Sequence, residues 1–176
     1  LGFGPVMVLG AHYVLTSPIH NTNLSNWNWI EALLASIPIA ILVMLIVWIN
    51  QFQDAPSDAA VGKNTLVVKT ATDNGWMRLE KPLKLYKLFM IDAFLSIILI
   101  GILSLFTEYG TRYIFIALLP TLIAWKAFKM ADEWIIKWNN PKADRQKVPY
   151  ELLLVNISTI GIHFLTGILV ALSYVL

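Results

Sequence analysis

Residues Ala32–Ile49 read ALLASIPIAILVMLIVWI, 18 positions without a charged side chain. As a helix rising 1.5 Å per residue, such a stretch is about 27 Å long, close to the roughly 30 Å of hydrocarbon in a bilayer. It predicts a transmembrane helix. Four other apolar runs extend the reading along the chain: Leu1–Ile19, Leu88–Thr107 (interrupted by Asp92), Tyr113–Trp125 and Leu152–Leu176. The run Tyr113–Trp125 is short, and snorkelling of Lys126 and Lys129 to the interface would extend it to Met130. Pro38 and Pro120 are tolerable inside spans where neighbouring groups satisfy the freed carbonyls. Ten-residue stretches of period-two alternation do not occur, which disfavours a β-barrel. The expected fold is all-α, a polytopic membrane bundle of five transmembrane helices forming one domain over residues 1–176.

Composition agrees with that reading. The chain is 57% apolar and 14% charged, whereas water-soluble domains carry about 25% charged residues. Mean hydropathy is +0.66. A net charge of +2 is too small to argue for nucleic acid, and none is expected as a partner. The absence of cysteine excludes disulfides, thiolate metal sites, iron–sulfur clusters and cysteine nucleophiles. The chain starts at Leu1 inside an apolar run, with neither an initiator Met nor a charged n-region. It is expected to be a piece of a longer protein.

The connections carry more information than the spans. Ser17–Glu31 has no Lys or Arg, and Glu108–Arg112 has Arg112 alone. Phe52–Lys87 holds Lys63, Lys69, Arg78, Lys81, Lys84 and Lys87; Lys126–Glu151 holds Lys126, Lys129, Lys137, Lys142, Arg145 and Lys147. Five crossings put these two connections on one face, with twelve of the 13 basic residues, and the positive-inside bias predicts that this face is cytoplasmic. Trp27, Trp29, Trp48, Trp125, Trp134 and Trp138 lie near span ends, where interfacial anchors are expected.

The string from Trp48 to Leu66, WINQFQDAPSDAAVGKNTL, leaves the second span on that face. Asn50, Asp54 and Asp58 are four residues apart, so a continuing helix lines them up, provided Pro56 does not bend it. Two carboxylates one turn apart suit Mg²⁺, which takes hard oxygen ligands and is commonly shared between carboxylates and substrate phosphates. Gly62-Lys63-Asn64-Thr65 adds close backbone approach, a point positive charge and two hydrogen-bonding side chains. The ordinary alternative is a polar loop with an unremarkable D-x-x-x-D pair and one positive-inside lysine.

The string resembles the second aspartate-rich motif of the UbiA superfamily of intramembrane prenyltransferases, through Asn50, Phe52, Asp54, Asp58, Gly62-Lys63 and Thr65-Leu66-Val67-Val68. It is most similar to the branch that prenylates 1,4-dihydroxy-2-naphthoate on the way to menaquinone. Phe3–Gly10 and Trp29–Pro38 resemble that branch too. Ala60 and Asn64 depart from it, standing where it often carries basic residues, and its first motif, an N-D-x-x-D string, does not occur in these 176 residues.

The resemblance implies the back part of a nine-helix fold, its fifth to ninth helices, with the motif at residues 50–68. It implies Mg²⁺ held by Asp54 and Asp58 as the catalytic and metal-binding residues; Asn50, Lys63 and Asn64 of the string, and Asp92 from its place inside the third span, are the candidate substrate contacts. It further implies a polyprenyl diphosphate donor, an aromatic quinone precursor as acceptor, surrounding membrane lipid, and a bacterial or archaeal cell membrane. Missing N-terminal helices would complete the site, so the isolated piece is expected to be inactive.

Other positions are open to two readings each. Phe52, Tyr86, Phe89 and Trp125 are candidates to stabilise an allylic cation through their faces, against lipid-facing or interfacial packing. Asp92 lies in the third span, where a carboxylate is costly and should face the bundle interior, either towards substrate or in a hydrogen bond between helices. His12 and His163 are expected to be interhelical hydrogen-bonding groups, and Gly161 and Gly167 to permit close packing. Asp132–Lys147 reads as a solvated loop with a helix stop at Asn139-Asn140-Pro141. Rival functions are other acceptors of the superfamily (4-hydroxybenzoate, haem, chlorophyllide, glycerol phosphate), a small membrane carrier with a cation site at Asp54, Asp58 and Asp92, and a non-catalytic packing module.

Overall fold

The computed structural model describes residues 2–16, 29–73, 77–144 and 147–176. A π-helical turn, Gly2–Val6, leads into α1 (Met7–Thr16). α2 (Trp29–Ala60) is followed by the short α3 (Leu66–Thr70) and a two-residue antiparallel ladder, β1 (Thr72–Asp73) with β2 (Met77–Arg78), in the register Thr72↔Arg78 and Asp73↔Met77. Then come α4 (Glu80–Leu103), a 3₁₀ segment Arg112–Leu118 continued by α5 (Thr121–Trp138), and a 3₁₀ turn Val148–Leu152 opening α6 (Leu153–Ser173). The fold is an all-α membrane bundle. Among the described residues four helical stretches are long and apolar enough to cross a membrane: Trp29–Ala60, Glu80–Leu103, Arg112–Trp138 and Val148–Ser173. The first expected span is described as a shorter apolar helix, Gly4–Leu15; Ser17–Ile19, and Trp27 with them, lie outside the described residues.

The two faces of each helix identify the solvent. On α4 the buried side is Leu83, Tyr86, Met90, Ala93, Ile97 and Ile100, and the opposite side exposes Leu88, Ile91, Leu95, Leu99 and Ile102. A water-facing helix would put charge on that second face; a helix apolar all round belongs in a membrane or a large core. α6 goes further. Its buried positions include Asn156, Thr159, Thr166 and Ser173, while Leu153, Ile157, Ile160, Phe164, Ile168 and Leu172 are exposed. Polar groups inside and hydrocarbon outside is the distribution expected in lipid, where polar side chains serve contacts between helices.

The described chain packs as two compact units. One comprises residues 1–43, 92–119 and 163–176, the other residues 44–91 and 120–162. In the first, close approach falls on glycines other than those expected. A Cβ on Gly4 would lie 2.2 Å from the Ala40 Cβ, and one on Gly101 would lie 2.5 Å from the Phe115 ring. Gly161 has open space around it, and Gly167 meets Ile39 at an ordinary 3.8 Å. Asp92 is half-buried in this unit.

Among the described residues the second unit holds eleven of the twelve Lys and Arg, Arg112 alone belonging to the first. Its α5 buries Ala124, Ala127, Ala131, Trp134 and Trp138, an alternating spacing of three and four that keeps one stripe inward. α5 is helical to Trp138 and stops at Asn139. The expected stop is therefore in place, but Asp132–Trp138 is helix rather than solvated loop, because Trp134 and Trp138 continue the buried stripe past the last apolar run. The unit's ion pairs include Arg78–Glu80 at 3.2 Å, Lys137–Glu151 at 2.8 Å and the Lys87–Asp132 pair.

Three tryptophans expected as interfacial anchors have another role. Trp48, Trp134 and Trp138 are at most 5% exposed, and each indole N–H donates to a backbone carbonyl of this unit: to Pro82 at 3.2 Å, Val148 at 2.7 Å and Met77 at 2.9 Å. They fasten the connections to the helices. A buried indole needs such a partner, and carbonyls at turns have capacity to spare. Trp29 and Trp125, 45% and 62% exposed, fit the anchor reading, and Lys129 Nζ sits 5.3 Å from the Trp125 ring.

Candidate functional site

The aspartate-bearing string is helical through Ala60, rather than a loop from residue 50. α2 passes through Pro38 and Pro56, and in both places a nearby serine hydroxyl donates to a carbonyl of the turn: Ser36 to Leu33 at 2.6 Å, Ser57 to Asp54 at 2.8 Å. The continuous helix sets Asn50, Asp54 and Asp58 on successive turns, the backbone positions of the two aspartates about 6 Å apart along the axis. Asp54 is exposed and Asp58 is buried.

A complete cap ends the helix. Gly62 has φ +74°, the left-handed conformation that costs an L side chain roughly 1–2 kcal/mol. Its N–H bonds to the Ala59 carbonyl at 3.1 Å, and the Lys63 N–H to the Asp58 carbonyl at 2.8 Å. These are the two hydrogen bonds of a Schellman motif. A hydrophobic contact usually accompanies that motif between the residue after the glycine and the one five positions back. Here those residues are Lys63 and Asp58, and the contact is an ion pair, Lys63 Nζ donating to Asp58 Oδ1 at 3.0 Å. The carboxylate is 11% exposed and the lysine side chain 64%.

The residues that follow are tied back to the same helix. Thr65 caps α3, its hydroxyl accepting from the Val68 N–H at 3.4 Å. Gln51 Oε1 accepts from the Val67 N–H at 3.3 Å, and Val67 is fully buried. Gln51 thus holds the loop 61–65 near the carboxylates, a role with no signal in the sequence beyond its place beside Asn50. Asn50 is held from α6: Asn156, 4% exposed, donates Nδ2 to Asn50 Oδ1 at 2.8 Å. Asn156 Oδ1 is itself buried with no partner among the described residues.

Of the site residues expected from sequence, Asn50, Asp54, Asp58, Lys63 and Asn64 fall in one compact unit and Asp92 in the other. Asn64 is exposed. The Asp54 and Asp92 carboxylates have no partner among the described residues. Gly62 serves backbone conformation: no atom lies within 4 Å of where its Cβ would stand. Of the aromatic candidates, Phe52 and Tyr86 are fully buried, which excludes the lipid-facing alternative for them. Phe52 packs edge-on against Trp134 at 5.9 Å, and the Tyr86 hydroxyl shares a 2.7 Å hydrogen bond with Thr159. Phe89 packs against Trp48 at 5.8 Å. Trp125 is exposed.

The chemistry of this donor set suits a hard divalent cation. Asp54 and Asp58 present carboxylate oxygens one turn apart beside an exposed lysine. Among the described residues no group of three or more His, Asp or Glu gathers. Two carboxylates leave most of an octahedral shell to water and phosphate oxygens, which is how Mg²⁺ is commonly held. None of the family models, curated proteins or solved structures compared with the chain matches it.

Proposed function

We propose that the chain is the metal- and donor-binding back part of a membrane prenyltransferase of the UbiA type. It would serve the Mg²⁺-dependent transfer of a polyprenyl group from an allylic diphosphate to an aromatic acceptor, 1,4-dihydroxy-2-naphthoate in menaquinone synthesis. The observation that carries the reading is the end of α2, where Asp54 and Asp58 occupy successive turns and Lys63 sits 3.0 Å from Asp58. A membrane-length helix ending in a hard-cation site beside a lysine suits a donor with an apolar chain and a charged head.

In the transfer, the bond between the allylic carbon and a diphosphate oxygen breaks, its electron pair leaving with the diphosphate. A ring carbon of the acceptor forms the new carbon–carbon bond and then loses its proton. Bound Mg²⁺ supplies charge neutralisation that makes the diphosphate a better leaving group. Asp54 and Asp58 hold that cation, Lys63 and Asn64 offer donors to the phosphate oxygens, and Asn50 stands one turn before Asp54. The buried rings of Phe52 and Tyr86 help keep water from an allylic cation. The positive-inside bias supports a cytoplasmic site, and the resemblance to the menaquinone branch supports a bacterial or archaeal cell membrane.

The test uses membranes carrying the full reading frame that contains this chain, supplied with Mg²⁺, an allylic prenyl diphosphate and 1,4-dihydroxy-2-naphthoate, with 4-hydroxybenzoate as competing acceptor. Prenylated naphthoate is expected, and Asp54→Ala and Asp58→Ala should each remove most of it while protein levels in the membrane hold. Near-normal rates for both variants at limiting Mg²⁺ would refute the metal assignment.

A further inference from the structure

The Lys63–Asp58 pair has a consequence for the order in which the site fills, and it rests on the metal–diphosphate reading above. Asp58 is the more buried of the two carboxylates, and an oxygen of it is already engaged by an ammonium at 3.0 Å. The pairing is built into the backbone. Gly62 at φ +74° and the 2.8 Å bond from the Lys63 N–H to the Asp58 carbonyl return the chain so that residue 63 lies over residue 58. Asp54, one turn earlier, has no such partner among the described residues.

We propose that Lys63 is a resident counter-ion that keeps Asp58 from coordinating metal until a diphosphate arrives to take its ammonium. The electrostatics run in that direction. With Lys63 in place the three side chains sum to a single negative charge, and Mg²⁺ must either settle for Asp54 or displace the lysine. Displacement by metal alone leaves an ammonium beside a dication with no anion to receive it. A diphosphate changes the balance, because the lysine exchanges one carboxylate for phosphate oxygens at the same moment that Asp58 gains the metal. The flexible four-carbon stem of a lysine and its compact charge allow that move without rearranging the backbone. Metal and diphosphate then bind cooperatively, each lowering the cost of admitting the other, and Mg²⁺ in the absence of donor leaves the site largely unfilled.

The experiment is calorimetric titration of the protein purified in detergent, with Mg²⁺ alone and with Mg²⁺ and inorganic pyrophosphate together, for the native protein, Lys63→Gln, Lys63→Arg and Asp58→Asn. Lys63→Gln should bind Mg²⁺ alone about fivefold more tightly, the scale of a partly exposed ion pair, while binding Mg²⁺-pyrophosphate more weakly than the native protein. Opposite signs from one substitution are not produced by general destabilisation. Lys63→Arg, which keeps the charge, should match the native protein on Mg²⁺ alone. Unchanged or weaker Mg²⁺ binding by Lys63→Gln, with native Mg²⁺-pyrophosphate binding still abolished by Asp58→Asn, would overturn the counter-ion role and leave the metal site standing. Native binding that Asp58→Asn does not alter would overturn the metal reading and the counter-ion role with it.

Discussion

Alanine at Gly62 and alanine at Gly161 should shift stability in opposite directions, although neither new methyl group meets an atom within 4 Å. Gly161 lies inside α6, where replacing glycine by alanine removes excess freedom from the unfolded chain and gains about 0.5–1 kcal/mol. Gly62 has φ +74°, a region where an L residue is worse than glycine by about 1–2 kcal/mol. With sterics equal, the dihedral alone sets the sign. For a chain of this size 1 kcal/mol corresponds to about 2–4 °C in Tm, so the two variants should differ by roughly 3–12 °C in detergent, followed by tryptophan fluorescence. Asn at position 62, which tolerates the left-handed region, should recover part of the loss. If the strain is relieved by fraying of the cap, the Lys63 amide, bonded to the Asp58 carbonyl at 2.8 Å, should exchange with solvent several-fold faster in Gly62→Ala. A Gly62→Ala protein as stable as the native one, with native exchange at Lys63, would refute the cap and the backbone return that brings Lys63 to Asp58.

Other outcomes follow from the same contacts. Tyr86→Phe removes a buried 2.7 Å hydrogen bond to Thr159 and should cost about 0.6 kcal/mol, the average for hydrogen bonds between membrane helices; a loss beyond about 2 kcal/mol by denaturant titration would mean that the ring packing changes too. Trp138→Phe leaves the Met77 carbonyl without its 2.9 Å donor and should cost about 1–3 kcal/mol, with faster hydrogen exchange in the β1–β2 ladder than elsewhere. Single cysteines introduced at Ser57 and Lys142 should react with an impermeant thiol reagent from the same side of the membrane, and one at Thr111 from the other side. Ser57 and Lys142 labelled from opposite faces would overturn the charge-based topology.

The membrane class was legible in the sequence because it depends on quantities that add along the chain. An 18-residue run without charge, as at Ala32–Ile49, cannot coat a soluble surface whatever its neighbours do. The alignment of Asn50, Asp54 and Asp58 was legible for a related reason. A spacing of four has one geometric meaning on a helix, and the helix does run through Pro56 to Ala60. The helix stop at Asn139 likewise follows from local backbone preference.

What the tertiary structure decided is which side chains meet. Trp48, Trp134 and Trp138 sit near span ends, as anchors would, yet their indoles bond to carbonyls of connections remote in sequence, and no local pattern specifies those partners. The continuation of α5 past its apolar run depended on burial of Trp134 and Trp138, a property of what packs against them. Glycine spacing pointed to Gly161 and Gly167, whereas close approach occurs at Gly4 and Gly101, because a glycine matters only where another element comes near. Sequence placed Lys63 five residues after Asp58 in a loop. The left-handed turn at Gly62 made that separation a 3.0 Å ion pair, since a chain reversal, unlike a helical repeat, brings together residues that no fixed period relates.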